Sequence, residues 1–255
     1  MAGLTKLYFG WQAYFKTPWS LGQLPETIKP LYTPDGITLL SGFTDHEKVR
    51  FIFEAPDSKN PQWLCSRLKG RLNHFIKQEA TTFPGFTRSF LLESLGQNDR
   101  SIVSHYVQNQ VEASDLVDPL YRKRMKAFRF HEEVDARTST SHGGRYELVL
   151  HVILVIGNRH RIFSQEARKV FNALVDACEV LRCQPYDISM MPDHAHLMVS
   201  WPSEFSAEDV LEGIKRESGK GMRRTAYWQD GGYAGTVGPY KMSIAIEKNR
   251  CLGGW

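Results

Sequence analysis

Two rhythms of hydrophobic and polar positions run through this chain, and they recur. In the second half, Tyr146 to Ile156 is an apolar, β-branched run that predicts a buried strand. Ser164 is placed to cap a helix whose apolar stripe is Val170, Phe171, Leu174, Val175, Cys178 and Leu181. A second strand is predicted from His194 to Trp201. Ser206 and Asp209 form a capping-box pattern ahead of a helix carrying Val210, Leu211 and Ile214. A glycine-rich stretch from Gly231 to Gly238 and a short terminal segment follow.

The first half reads similarly. Leu4 to Phe15 is a strand-like aromatic run, and Val49 to Phe53 is a strand ending at Ala55-Pro56. Asn60-Pro61 starts a helix with Leu64, Leu68, Leu72 and Phe75 on one face. A glycine-containing turn and a helix from Ser101 to Val111 come next. Laying Pro56 on Pro202 brings Leu64 onto Val210, Leu68 onto Ile214 and Lys69 onto Lys215 without a gap. The same alignment sets Val49–Phe53 on Ala195–Val199. This points to an internal duplication: an α+β chain of two ferredoxin-like (RRM-like) antiparallel sheets, helices on one face, fused in tandem. The halves are residues 1–111 and 146–255. Residues 112–145, charged and ending in Thr138-Ser139-Thr140-Ser141-His142-Gly143-Gly144, predict an exposed linker.

Composition adds limits. At 42% hydrophobic and 24% charged, 255 residues can build a sizeable core. The longest apolar run is too short to span a bilayer, and no signal peptide is evident, so a cytoplasmic protein is expected. Cys65, Cys178, Cys183 and Cys251 form no C-x-x-C pair, which argues against zinc or a redox dithiol. Net charge is only +4, but the basic residues cluster. Arg122 to Arg129 is one run; Lys215, Arg216, Lys220, Arg223 and Arg224 form another, suited to a phosphate backbone or to a solvated face.

The sharpest motif is Pro192-Asp193-His194-Ala195-His196-Leu197-Met198-Val199. On a strand, positions i and i+2 share a face, so His194 and His196 present two imidazoles side by side while Ala195, Leu197 and Val199 face a helix layer. Paired imidazoles make a natural divalent-metal site.

This motif, with its flanking strand and helix and with Trp228-Gln229 and Gly232–Gly238 downstream, resembles the single-tyrosine HUH transposases of the insertion-sequence 200/605 type and their REP-associated relatives. The resemblance covers residues 145 to 250. It implies a tyrosine nucleophile on a helix after the glycine turn. The second half lacks one: Ala245 or Lys248 falls at that position. The first half supplies it. Gly96 to Gln110 is similar to the family's turn and catalytic helix, with Tyr106 as nucleophile and Gln110, four residues on, as third metal ligand. In turn, Lys48 and Arg50 stand where His194 and His196 stand in the other half, and they could hold a phosphate.

The losses are complementary. The resemblance therefore implies one fused site, with Tyr106 and Gln110 of the first half reaching His194 and His196 of the second. The chain would act as a monomeric pseudo-dimer, or as a homodimer. The activity implied is single-strand DNA cleavage and rejoining through a 5′-phosphotyrosine, with Mg²⁺ or Mn²⁺, on single-stranded or hairpin DNA. Lys215, Arg216, Lys220, Arg223, Arg224, Lys48 and Arg50 would contact DNA, and Trp228 and Tyr233 would stack bases. Asp193 would orient the motif or simply make a turn. The alternative is a non-catalytic, domesticated nucleic-acid-binding protein.

Overall fold

Strict alternation gives the first sheet its two faces. In the computed structural model, which describes residues 6–19, 26–114, 118–132, 139–141, 143–222 and 227–255, β1 (Lys6–Phe15) buries Leu7, Phe9, Trp11 and Ala13 on one side. A 3-10 segment (Glu26–Asp35) leads to β2 (Thr38–Thr44) and β3 (Lys48–Pro56). β3 sends Val49, Phe51 and Phe53 to the same core. Asn60 caps α1 (Pro61–Glu79) by accepting the Trp63 N–H, and Pro61 sits where no N–H is needed. Leu64, Leu68 and Leu72 of α1 close the core, and β4 (Phe86–Leu95) completes an antiparallel order β2-β3-β1-β4.

Then come α2 (Arg100–Gln108), α3 (Gln110–Ala113), α4 (Pro119–Met125), β5 (Arg129–His131), β6 (Ser139–Ser141) and β7 (Gly144–Glu147). The second unit is β8 (Val149–Val155), α5 (Ser164–Val180), β9 (Pro185–Met190), β10 (His194–Ser200), α6 (Ala207–Gly221) and β11 (Tyr233–Val237), followed by α7 (Met242–Cys251). Its strand order β11-β8-β10-β9 is the order β4-β1-β3-β2 of the first unit. Both are ferredoxin-like, with the main helices on one face. The capping box of Ser206 and Asp209 is made in full. Phe163, not Ser164, occupies the cap position of α5.

Residues 112–145 depart from a linker. β5 pairs with β9 at the edge of the second sheet, and β6 and β7 extend the first, β7 running parallel to β4. Within this segment Met125 and Phe128 are buried. These few apolar anchors are enough to dock a segment whose average composition is polar. Thr138 and His142 lie outside the described residues. The strand expected over Tyr146–Ile156 is divided at Leu148: β7 serves the first sheet and β8 the second. No helix among the described residues is long and apolar enough to cross a membrane.

The decisive feature is an exchange of helices. α2 leaves its own unit and buries Val103 and Val107 against Val149, Tyr186, Met198 and Val237 of the second sheet. α7 does the reverse, burying Ala245 against Ile52 and Leu95 of the first. The two crossings are matched bond for bond. The Arg100 N–H donates to the Gly238 carbonyl at 2.8 Å, and the Met242 N–H donates to the Gly96 carbonyl at 2.8 Å. The Tyr8 N–H donates to Thr236 Oγ1, and the Val149 N–H to Ser94 Oγ, both at 2.9 Å. Glycine is required at the crossings: a Cβ on Gly96 would lie 2.5 Å from the Thr236 carbonyl oxygen, and one on Gly238 2.6 Å from that of Ser94.

Candidate active site

Strand β10 lies centrally in its sheet, between β8 and β9. Ala195, Leu197 and Val199 are buried in the core shared with α6, so His194 and His196 emerge on the other face, where α2 is docked. Their ring centroids are 5.0 Å apart. His194 Nδ1 is 2.7 Å from Asp193 Oδ1, and Arg159 lies 3.3 Å from the other carboxylate oxygen. Burial opposes ionisation of Asp193, but the His194 hydrogen bond and the Arg159 charge hold it below the usual carboxylate range. Asp193 thus touches the motif directly and does more than turn the chain.

The exchanged helix brings Tyr106 to this face. Its ring packs edge-on 5.5 Å from His196, and the side chain is 52% exposed, open to an incoming strand. Gln110 is not on the same helix. α2 stops at Gln108 because the Asn109 side chain donates to the His105 carbonyl, and α3 restarts at Gln110. The continuous helix on which the i+4 relation rests is thus interrupted for one residue, at Asn109. Gln108 instead anchors α2, donating to Asp187 Oδ1 at 3.1 Å, which also bonds His131.

A third imidazole stands here that sequence reasoning passed over. His151 on β8 has its Nε2 3.2 Å from His196 Nδ1, with the ring planes 19° apart and the centroids 5.4 Å apart, so the rings meet edge to edge. Tyr233 on β11 lies 5.8 Å from it, its ring folded over Gly235, where any Cβ would collide. The signal was a histidine inside the apolar run Val149–Val155 whose side chain faces away from the core. Though partly exposed at its edge, His151 is enclosed on most sides, and burial pushes it down to about 4. Burial, then the neighbouring imidazoles, push His196 down to about 3. Both are neutral near pH 7, the form in which imidazole binds metal. Among the described residues no group of three His, Cys, Asp or Glu side chains is disposed to hold a metal ion. A metal here would rest on the two motif imidazoles and take its other ligands from water, substrate or an amide, which suits an open catalytic position.

The other expected residues are dispersed. Lys215, Arg216 and Lys220 sit on α6, across the sheet from the histidines, and pair with Glu212 and Glu217. Arg223 and Arg224 lie outside the described residues. Trp228 does not offer a stacking surface: it is buried, and its Nε1 donates to Ser218 Oγ within the core. Lys48 is half-buried on the first sheet. Beside it, Arg50 bonds Glu93 at 2.9 Å and Tyr240 at 2.6 Å. A cavity of about 1000 Å³ lies elsewhere, lined by Tyr146, Trp201, Arg182 and the carboxylates of Glu132, Glu179 and Glu204, so that negative charge prevails in it.

Residues 145–247 match the family model described as "Transposase IS200 like". A solved structure of a REP-associated tyrosine transposase bound to a REP hairpin is similar at 10% identity and a TM-score of 0.31. The match covers 42% of this chain, and this chain spans 62% of that one. The regulatory subunit of aspartate kinase from Thermus thermophilus is similar at 9% identity and a TM-score of 0.22, covering 84% of this chain and 97% of that one. No curated protein matches significantly.

Proposed function

We propose that this chain, whose residues 145–247 match the IS200-like transposase family model, cuts and rejoins single-stranded or hairpin DNA through one site shared between its halves. Tyr106 is the nucleophile, and His194 and His196 hold the divalent metal. The observation that carries this reading is the packing of Tyr106 against His196, although the two come from opposite halves of the chain.

In this reading the Tyr106 oxygen attacks phosphorus, the bond to the 3′ oxygen breaks, and a 5′-phosphotyrosine and a free 3′-hydroxyl result. The phenol proton passes to water, which reaches the exposed side chain, and the departing oxygen takes one up. Bond energy is retained, so rejoining needs no nucleotide. A phenol, with an ordinary pKa of about 10, is a weak nucleophile at neutral pH. Mg²⁺ or Mn²⁺, when bound, supplies Lewis-acid polarisation of the phosphate. Asp193 orients His194, and Gln108 holds the helix that carries Tyr106. Gln110, the first residue of α3, would complete the set as an amide ligand. Lys215, Arg216 and Lys220, with Arg223 and Arg224, would contact DNA only beyond the cleaved step, since α6 lies on the opposite face of the sheet from the histidines. The two halves derive from an internal duplication, each keeping the part of the site the other lost.

The test is covalent capture. Wild type incubated with labelled single-stranded DNA and Mn²⁺ should give an adduct that survives denaturing electrophoresis, and Tyr106→Phe should give none. Absence of any adduct with wild type, across hairpin and unstructured substrates, would leave the chain a non-catalytic DNA-binding relative.

A further inference from the structure

We infer that His151 is a positioning residue for His196: its Nε2 lone pair accepts the His196 Nδ1–H, fixing the tautomer that leaves His196 Nε2 free. This rests on the reading of His194 and His196 as the metal-facing pair and goes one layer behind it.

The Nδ1 of His194 lies 2.7 Å from Asp193 Oδ1. An ionised carboxylate only accepts, so the proton sits on His194 Nδ1, and Nε2 carries the lone pair. For the second imidazole to offer the same atom, its Nδ1 must also hold a proton and give it to an acceptor. The atom 3.2 Å away is His151 Nε2. If His151 kept its proton on Nε2, His196 Nδ1 would accept instead. Its own Nε2 would then carry hydrogen and turn a cation away.

The first sheet supports this by contrast. Tyr8 and Val149 make the matching crossover bonds, so Gly10 occupies the place of His151, two residues on. Where the imidazole of His196 gives way to Arg50, the supporting imidazole is gone too. Glu93 fills the space, its carboxylate so close that a Cβ on Gly10 would lie 2.8 Å from it. A merely space-filling aromatic would have no reason to set its nitrogen 3.2 Å from that of His196.

The experiment uses the full chain. In metal-free protein with ¹⁵N-labelled histidine, long-range proton–nitrogen spectra should show His196 protonated at Nδ1, assigned by loss of its signals in His196→Gln. A proton on His196 Nε2 would overturn the inference. Mn²⁺ binding, followed by the electron spin resonance of free Mn²⁺, gives the second readout. His151→Phe keeps a ring but no acceptor and should weaken binding about 10- to 100-fold. His151→Gln keeps an acceptor and should bind within a few-fold of wild type. Equal loss in both variants, or no loss in His151→Phe, would also overturn it. If wild type takes up no Mn²⁺ while His196 is protonated at Nδ1, the metal reading fails and the tautomer assignment stands.

Discussion

The Arg50 guanidinium occupies the first sheet's counterpart of the His196 position, and what it does there is structural. It bonds Glu93 and Tyr240, and Tyr240 donates to the same carboxylate at 2.6 Å. Burial, then Glu93, pushes the Tyr240 phenol up to about 12, so the cluster holds one anion and one cation. Both charged side chains are largely enclosed, at 13% and 10% exposure. Removing one partner of such a pair strands the other. Arg50→Met should cost about 3–5 kcal/mol of stability in denaturant unfolding. Arg50→Met with Glu93→Leu should recover most of it, and a double cycle that shows simple additivity would refute the pairing. The imidazole pair was legible because strand periodicity alone aligns i with i+2. Arg50 was legible as its counterpart. Glu93 was not, because Phe86–Leu95 alternates too weakly to announce a strand. His151 was hidden for a related reason: a lone histidine in an apolar run reads as core until its neighbours across the sheet are known.

At the scale of elements, α2 and α7 are held by their crossings. The glycines at Gly96 and Gly238 let two backbones approach within hydrogen-bond reach, and the sequence showed them only as turn residues. Gly96→Ala and Gly238→Ala should each destabilise the chain by about 1–3 kcal/mol. Cleavage should fall more steeply than stability, since either change pushes the Tyr106 helix off the histidine face. Unchanged melting in both variants would mean the crossings are loose. Capping residues were read correctly where a side chain announces them, as at Asn60 and Ser206. The stop at Asn109 was missed because an asparagine that bonds backward onto its own helix looks, in sequence, like any polar surface residue. The edge strands β5, β6 and β7 were missed because three or four residues carry no usable period.

At the scale of the molecule, the duplication reading brought the halves together, and the exchange of helices fixes how they meet. Tyr106 and His196 are neighbours within one chain. Tyr106→Phe chains mixed with His194→Ala chains should therefore remain inactive at every ratio, measured by adduct formation. Recovery to a quarter of wild-type activity, as free reassortment would give, would require sites built between chains.

The traded helices also govern how the protein comes apart. Val103 and Val107 of the first half are buried on the second sheet, and Ala245 of the second half is buried on the first. Melting either half strips an apolar cover from the other. A single calorimetric transition is the expected outcome, and the portion with no histidine pair of its own then matters to stability as much as the portion that has one.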